Sequence, residues 1–270
     1  MIAKFVLSTL TLTTISSLLP VIVAQATPDS LQRSVAQSLP RVPSGGGKPS
    51  GTIAGGSRFA PPPPPSDIGA PTSRGDSGGA SRGVCLGNQN IIALTPLYQQ
   101  GRLPLVWGLT TMERPSFWFY VPPVADSAAE MEFVLRDRAG KKLFQTKNPV
   151  TQTGVIRVTL PDSAPALTVG DRYQWYFKVR CPAAQSQPPK YVNGWIERQT
   201  IEPTLANQLQ QASPAERATL YAQKGIWFDA ITTLGQLRQA NPNDPALAKQ
   251  WTELLDSVQL KDLAAQPMTR

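Results

Sequence analysis

Apolar and polar residues alternate along several short stretches in the middle of the chain. The clearest is Tyr173–Cys181 (YQWYFKVRC), in which every odd-numbered residue is apolar and the even-numbered residues are mostly polar. Ile156–Leu160 and Met131–Leu135 repeat the pattern. A period of two places successive side chains on opposite faces of a β-strand, so each stretch predicts a strand with one buried face. Short strands between Pro/Gly-rich turns predict an antiparallel sandwich or barrel.

Two turns refine this prediction. Residues 136–142 (RDRAGKK) separate two apolar stretches and include Gly140, which suits the positive φ of a hairpin turn. Leu167–Tyr173 (LTVGDRY) places a leucine and a glycine just before a tyrosine that begins a strand. That arrangement resembles a tyrosine corner, in which the tyrosine hydroxyl bonds to upstream backbone. We therefore expect residues 85–202 to form an all-β, immunoglobulin-like sandwich.

Beyond this region the apolar period becomes that of an α-helix. Helix boundary signals occur at Pro203, Ser213–Glu216, Gly225, Trp227, Ala240 and Asp244-Pro245. The strongest is the capping box of Ser213 and Glu216, with proline at the first helical position. The two helices on either side of Gly225 resemble one tetratricopeptide-type hairpin. Since a stable array needs about three repeats, we expect residues 203–270 to form a small α-helical domain that packs on the sandwich, not a solenoid.

Residues 27–84 are rich in Gly, Pro and Ser and nearly free of aromatic residues. Such a segment buries too little apolar surface to offset the entropy lost on ordering, so we expect a disordered linker. Pro61–Pro65 should stiffen it locally as a polyproline II turn; the alternative is a docking motif for a proline-binding domain.

Two motifs overlap near the end of this linker. GDSGG, residues 75–79, has the letters that surround the nucleophilic serine of chymotrypsin-like proteases, and Arg74-Gly75-Asp76 spells the adhesion motif RGD. We interpret both as linker residues that happen to spell these motifs, and we expect the RGD to be accessible to solvent.

Residues 1–26 are predicted to be a signal peptide. Lys4 precedes the apolar stretch Phe5–Val23, which Pro20 interrupts, and Ala24-Gln25-Ala26 fits the small-x-small cleavage pattern. The alternative is a membrane anchor, but the proline and the cleavage pattern favour removal. No later stretch is apolar and long enough to span a bilayer. We therefore expect an exported protein of the periplasm or cell surface, without a transmembrane anchor once the signal peptide is cleaved.

Composition narrows the possible functions. The 270 residues include no histidine, which excludes a Ser-His-Asp triad. The net charge of +8 is spread over the linker and the middle of the chain without a dense basic run. Such a balance suits loose attraction to anionic envelope polymers or a lipid surface. No nucleic-acid-binding motif is recognisable, and we expect no nucleic-acid partner.

Cys85 and Cys181 are the only two cysteines. In an oxidising compartment we expect them to form a disulfide. Closing a loop of this length contributes about 4–5 kcal/mol to the free energy of unfolding in the chain-entropy account. The alternative is two free thiols in a reduced protein. Two cysteines without histidine are too few ligands for zinc, and we expect no metal and no cofactor.

Aromatic residues supply the candidate binding surface. In the stretch 113–121, Phe117 and Phe119 face one way, and Trp118 and Tyr120 face the other. We favour a core role for them, either in a central strand buried on both sides or with Trp118 and Tyr120 under the helices, because aromatic side chains bury the most area in small β domains. If a surface for a sugar or peptide exists, its candidates are Trp118, Tyr120, Tyr176, Tyr191 and Trp195.

A hydrolase would need two carboxylates facing each other across a cleft. The available carboxylates are Glu113, Glu130, Glu132, Asp162 and Glu197. Their sequence contexts are strand edges and turns, where charged side chains normally lie in water. We expect Arg136 and Arg138 to balance Glu130 and Glu132. We therefore name no catalytic residue and do not expect an enzyme.

An ordered series of motifs resembles a known family. The motifs are RGVC (82–85), ERPSFWFYVP (113–122), EFVLRD (132–137), LTVGDRYQWYFKVRC (167–181), GWIER (194–198), SPAERATLYAQKGIWFDAITTL (213–234) and the spaced DP, W and LL within 244–255. Over roughly residues 80–262 the chain resembles a cyanobacterial family of exported proteins known only as a domain of unknown function (DUF928). The resemblance implies an envelope or secreted location and carries no reaction, substrate or catalytic residue.

Together these features predict a non-catalytic protein-binding or scaffold protein of the cell envelope, whose partner is another envelope or secreted protein. One alternative is a module that binds peptidoglycan or an anionic glycan. Another is an envelope hydrolase with an unrecognised carboxylate pair.

Overall fold

In the residues that the structure describes, nine β-strands form two sheets and four α-helices follow them. The computed structural model describes residues 58–68, 72–75, 86, 89–182 and 189–269, all within the unit Gly46–Arg270. The strands are β1 (Ile92–Ala93), β2 (Leu97–Gln100), β3 (Leu103–Thr110), β4 (Ser116–Val121), β5 (Glu130–Asp137), β6 (Lys142–Pro149), β7 (Gly154–Thr159), β8 (Arg172–Arg180) and β9 (Lys190–Arg198). The helices are α1 (Pro203–Gln211), α2 (Pro214–Gln223), α3 (Trp227–Ala240) and α4 (Pro245–Asp256).

The two sheets form the predicted sandwich. The larger has the strand order β2-β3-β9-β8-β5-β6, and the smaller has the order β1-β4-β7. Six strand pairs are antiparallel. β3 and β9 run parallel, with Trp107 opposite Trp195. The antiparallel prediction therefore holds apart from this pair, which places β3 next to β9 in the middle of the larger sheet.

Aromatic rings fill the space between the sheets. Phe119 of β4 stacks on Phe177 of β8 with ring centroids 4.1 Å apart, and Phe117 lies 4.8 Å from Phe133 of β5. The odd-numbered residues of β8 are buried here, as the alternation predicted. Ring pairs at these separations add to the stabilisation that burial itself provides.

The two predicted turns are confirmed. The Thr168 amide donates a hydrogen bond to the Tyr173 hydroxyl at 2.8 Å, the bond that defines a tyrosine corner. Between β5 and β6, Gly140 has a φ of 85°. Its amide donates to the Asp137 carbonyl at 3.0 Å, which closes the hairpin turn.

The helix boundaries also follow the sequence signals. The Ser213 hydroxyl accepts from the Glu216 amide, and the Glu216 carboxylate accepts from the Ser213 amide, which completes the capping box. Asp244 caps α4 by accepting from the amides of Ala246 and Leu247. Across the described part of the chain, none of the helices has both the length and the apolar character needed to cross a membrane.

Helix α3 packs on the outer face of the smaller sheet. Trp118 of β4 is buried there, and its Nε1 donates to the Thr232 hydroxyl at 3.1 Å. A Cβ atom on Gly235 would lie 2.6 Å from the Trp118 ring, so only glycine admits this approach. Trp251 of α4 meets the same indole edge-on, at 6.0 Å between centroids. The sandwich and the helices therefore share one apolar core.

Part of the predicted linker packs on the folded unit. We call residues 58–68 the strap. Phe59 is buried with its ring centroid 5.0 Å from that of Trp227, and the Ala60 amide donates to the Ala222 carbonyl at 2.9 Å. Farther along, Ser73 forms a bridge with Asn193 of β9. The structure thus corrects the linker prediction for residues 58–68 and 72–75: a few apolar anchors and backbone hydrogen bonds order segments whose average composition indicates disorder.

Candidate functional site

The larger sheet carries buried aromatic side chains on the face that points away from the sandwich core. We call Tyr98, Leu105, Trp107, Leu109 and Trp195 the outer aromatic cluster. The Tyr98 and Trp107 rings lie 5.6 Å apart, and Trp107 is the register partner of Trp195. Ile68 of the strap is buried against the cluster. The outer face of a sandwich sheet is commonly solvated, so an aromatic cluster beneath a strap calls for a functional explanation.

Three polar atoms in this cluster have no hydrogen-bond partner among the described residues: Tyr98 Oη, Trp107 Nε1 and Trp195 Nε1. These side chains are only 9%, 2% and 9% exposed. Burial raises the pKa of the Tyr98 hydroxyl, which therefore stays protonated and able to donate. Buried Tyr and Trp usually find a partner, and an unpaired buried donor costs about 1–3 kcal/mol.

Unpaired indole groups also occur in the main core, at Trp175 and Trp251. Those two lie apart, one between the sheets and one in the helical layer. The outer aromatic cluster differs because it brings three unpaired donors together. In the described part of the molecule, this cluster therefore places three buried donors without partners on one face of the larger sheet.

Charged residues border the cluster next to Ile68. Asp67 of the strap accepts from Arg138 Nη2 at 2.8 Å and also pairs with Arg172. Arg172 in turn bonds Glu197 at 2.7 Å. The Arg172 hydrogen bond holds the pKa of Asp67 below its ordinary value, so that carboxylate is ionised at neutral pH. Asp67, Ile68, Arg138, Arg172 and Trp195 line a pocket of about 200 Å³.

The strap reaches this site from the helical domain. At the turn between α2 and α3, a Cβ on Gly225 would lie 2.8 Å from Pro62 Cδ, so the proline run lies directly against this turn. At the other end of the run, Gln100 Nε2 donates to the Pro65 carbonyl at 3.1 Å. Pro61–Pro65 therefore connects the helical hairpin to the outer face of the larger sheet within one chain.

The five predicted surface residues lie on two different faces. Trp118 is buried under α3 and Tyr120 is half-buried on the same face of the smaller sheet, so the binding-surface prediction is wrong for Trp118. The core interpretation, in which the helices cover this residue, is correct because the indole fills the space opposite Gly235.

The other three candidates share the outer face of the larger sheet. Tyr191 is 56% exposed, and the Arg136 guanidinium lies 5.1 Å from the centroid of the Tyr176 ring. Trp195 belongs to the outer aromatic cluster. Sequence reasoning therefore found one edge of the site.

Sequence reasoning missed Tyr98, Trp107 and the residues of the strap. In β3, Leu105, Trp107 and Leu109 alternate with Val106 and Gly108, so the strand is apolar on both faces and shows no alternation. Apolar and polar residues do not alternate in this strand. The available signal was that large residues alternate with small or branched ones. Asp67 and Ile68 were missed because they lie in a segment that composition assigned to a linker.

Each carboxylate considered for a hydrolase lies beside or opposite a basic residue. Burial raises the pKa of Glu132, but hydrogen bonds and charge from Lys178, Gln145 and Arg180 outweigh it and lower the pKa overall. Lys178 Nζ lies 3.1 Å from the Glu132 carboxylate. The expectation that Arg136 and Arg138 balance this residue is wrong, because Lys178 and Arg180 of the neighbouring strand do so.

The remaining candidates are arranged similarly. Glu113 accepts from Arg198 at 3.2 Å, Asp162 lies 3.8 Å from Arg114 and Glu197 pairs with Arg172. Glu130 stands opposite Arg180 in the sheet register. Within the described residues, no group of three or more Asp, Glu or Cys side chains is placed to hold a metal ion.

The arginine of the RGD motif is buried. Arg74 is 3% exposed, and its guanidinium donates to the Val258 carbonyl at 2.7 Å. The prediction that this motif is accessible is therefore wrong for Arg74, because its side chain is fixed inside the molecule; Asp76 lies outside the described residues. Of GDSGG, only Gly75 falls within the described residues.

The predicted disulfide stays a prediction. Cys181 lies just after β8, half-buried against the main core. Cys85 is outside the described residues.

Comparison with known proteins identifies the family. A family model described as Domain of Unknown Function (DUF928) matches residues 77–268. The chain belongs to this family. The resemblance seen in the sequence motifs is thus confirmed, whereas a cyanobacterial origin stays a prediction.

The other comparisons add little to the DUF928 assignment. No curated protein matches the chain. Among solved structures, the chain is similar to the solution structure of the fn3 domain of human collagen alpha-1(XX) chain, with 12% identity over 35% of this chain and 86% of that chain. The TM-score of 0.23 is too low to carry an argument. The sandwich assignment therefore rests on the sheets and the tyrosine corner described above.

Proposed function

We propose that this DUF928 protein is an exported, non-catalytic binding protein of the cell envelope, and that it recognises another protein through the outer face of its six-stranded sheet. The observation that carries the proposal is the outer aromatic cluster, with three buried donors that lack partners among the described residues. A ligand with free acceptors can form hydrogen bonds with such donors.

The composition of this face supports a protein partner. Tyr191 is exposed, Tyr176 lies beside the Arg136 guanidinium, and Trp195 is close to Asp67 and Arg172. Tyr, Trp and Arg are the residues enriched at the energetic centres of protein interfaces. A polymer-binding surface would instead rely on a strip of basic residues. Here Lys178 and Arg180 pair with Glu132, and Arg172 pairs with Glu197.

The test is affinity capture from an envelope extract, with the chain lacking residues 1–26 as bait. A variant carrying Tyr176→Ala and Tyr191→Ala removes two aromatic side chains of the outer face. A matched variant carrying Met112→Ala and Val169→Ala removes two exposed apolar side chains from loops. We expect the wild type and the loop variant to retain the same protein partner at about 0.1 M and about 1 M salt, and the outer-face variant to lose it.

Each other result has a definite meaning. Recovery that disappears at high salt and does not depend on the tyrosines would favour the anionic-glycan alternative, because screening weakens binding to a charged polymer. Equal retention of a partner by all three proteins would place recognition elsewhere and refute the outer-face assignment.

A further inference from the structure

We propose that the surface beneath the strap, formed by Arg138, Arg172 and the outer aromatic cluster, is a peptide site: it takes a segment of the partner protein carrying an acidic residue followed by an aliphatic residue, and Pro65–Ile68 of the strap cover it in cis until the partner displaces them. This inference rests on the proposed function and names the chemistry of the partner.

The cis segment shows which side chains the site accepts. Asp67 pairs with Arg138 and Arg172, while the next residue, Ile68, packs on the outer aromatic cluster. Two guanidinium groups therefore lie beside an apolar aromatic surface, at the spacing of two consecutive residues at the end of a turn that includes Ser66 and Asp67. Arginine is well suited to bind a carboxylate through several hydrogen bonds, and the aromatic rings are suited to an aliphatic side chain.

The fit of the cis segment is incomplete. Tyr98 Oη, Trp107 Nε1 and Trp195 Nε1 have no partner among the described residues with Ile68 in place. Of these three residues, Trp195 lines the pocket of about 200 Å³ beside Ile68, and the other two lie in the same cluster. A partner segment that supplies carbonyl oxygens to these donors gains hydrogen bonds that the strap does not make. The partner segment therefore has a means of competing with a ligand that is already tethered.

The strap is anchored independently of this site. Phe59 packs on Trp227 and Ala60 bonds the Ala222 carbonyl, both in the helical domain. Release of Pro65–Ile68 therefore leaves the first part of the strap in place. The short, stiff Pro61–Pro65 connection keeps the cis ligand at high local concentration, so exchange needs either a better ligand or a weakened strap.

The first experiment measures exchange with a labelled peptide of residues 61–68, PPPPPSDI, by fluorescence anisotropy on the chain lacking residues 1–26. The double variant Asp67→Asn with Ile68→Ala weakens the cis ligand and opens the site. Because a competing cis ligand reduces apparent affinity by the fraction of open sites, we expect the double variant to bind the peptide at least about tenfold more tightly than the wild type. Equal affinity for the two folded proteins would overturn the inference.

Controls address charge and folding. A peptide with Asn in place of Asp should bind the double variant about threefold more weakly, and Arg138→Met should reduce this difference, since Arg138 contacts Asp67 in the cis complex. Asp67→Asn alone keeps Ile68 in place; if the double variant fails to fold, this single variant must still bind the peptide more tightly than the wild type. If the Asp and Asn peptides bind with equal affinity, the acidic half of the motif is refuted.

A second measurement tests the unpaired donors. From a pool of peptides with a fixed Asp-Ile pair and varied flanks, the members that bind the double variant best should lose affinity when Tyr98→Phe is added, whereas the strap peptide should not. If Tyr98→Phe changes the affinity of none of the selected peptides, the proposed bonds from the partner segment to the unpaired donors are refuted.

The outcomes separate the two proposals. Absence of peptide binding, with capture of a partner still dependent on Tyr176 and Tyr191, overturns only the exchange at the strap. Peptide binding without any captured partner overturns the proposed function and the assignment of the occupant to a partner protein, but not the exchange at the strap. Two copies of the chain could also form a dimer by exchanging straps. If such dimers form and Asp67→Asn reduces them, the occupant is a second copy, and the assignment to a separate partner is refuted.

Discussion

Asp229 is the buried acidic residue that joins the helices to the larger sheet. It lies in the first turn of α3, and its carboxylate accepts from the Thr111 amide at 3.0 Å and from the hydroxyls of Thr110 and Thr111. Asp229→Ala leaves these donors unpaired in a buried place, so we expect the free energy of unfolding to fall by about 2–4 kcal/mol. Asp229→Asn keeps an acceptor and should lose less. Denaturant titration of both variants measures this, and an alanine variant as stable as the asparagine variant would contradict it.

The same carboxylate makes stability depend on pH. Burial raises the pKa of Asp229 above its ordinary value, and the threonine hydrogen bonds oppose this only in part. The folded protein then holds the proton more tightly than the unfolded chain, so the contribution to stability is present below the unfolded pKa of about 3.9 and is lost as pH rises through the folded pKa. Relative to Asp229→Asn, which does not titrate there, the wild type should lose stability as pH rises above about 4. If the difference in the free energy of unfolding between the wild type and Asp229→Asn stays constant from pH 4 to 8, this prediction is refuted.

At the scale of elements, the turn between α2 and α3 holds both a helix end and the strap. Gly225 has a φ of 74°, and an added Cβ would lie 2.8 Å from Pro62 Cδ and 2.9 Å from the Ala60 carbonyl oxygen. Gly225→Ala should therefore strain the backbone and also displace the strap. Gly140→Ala is the matched control, because Gly140 has a φ of 85° and no atom within 4 Å of its added Cβ.

We expect Gly140→Ala to lower the free energy of unfolding by about 1–2 kcal/mol, the cost of a left-handed conformation, and Gly225→Ala to lower it more. Hydrogen exchange should become faster at the Ala60 amide, which bonds the Ala222 carbonyl, only in Gly225→Ala. Unchanged exchange at Ala60 in that variant would mean that the strap does not depend on this contact.

The elements differ in how far sequence predicts them. The four helices and β8 were predictable because their boundaries and faces depend on local signals: a capping box, a proline at the first turn, a strict alternation. The strap was not, since its order depends on Phe59 meeting Trp227 and Asp67 meeting Arg172, contacts between residues far apart in the chain. The candidate site lies where these two kinds of element meet, so sequence found Trp195 and Tyr191 but not Trp107 or Ile68.

At the scale of the whole molecule, the predicted Cys85–Cys181 bond would tie the residues before β1 to the end of β8. Cys181 is half-buried beside the main core, so its half of the bond would lie at the end of β8, against that core. With the bond formed, the unfolded chain is restricted to a closed loop, and reduction should lower the free energy of unfolding by about 4–5 kcal/mol. Cys85→Ser should lower it by the same amount and make the protein insensitive to reductant.

Thiol titration of the unfolded, unreduced protein tests this directly. We expect no reactive thiol before reduction and two after it, since the chain has two cysteines. Two reactive thiols before reduction would refute the disulfide. In that case the sandwich would depend only on its aromatic core, and Cys85→Ser would leave the denaturant midpoint unchanged.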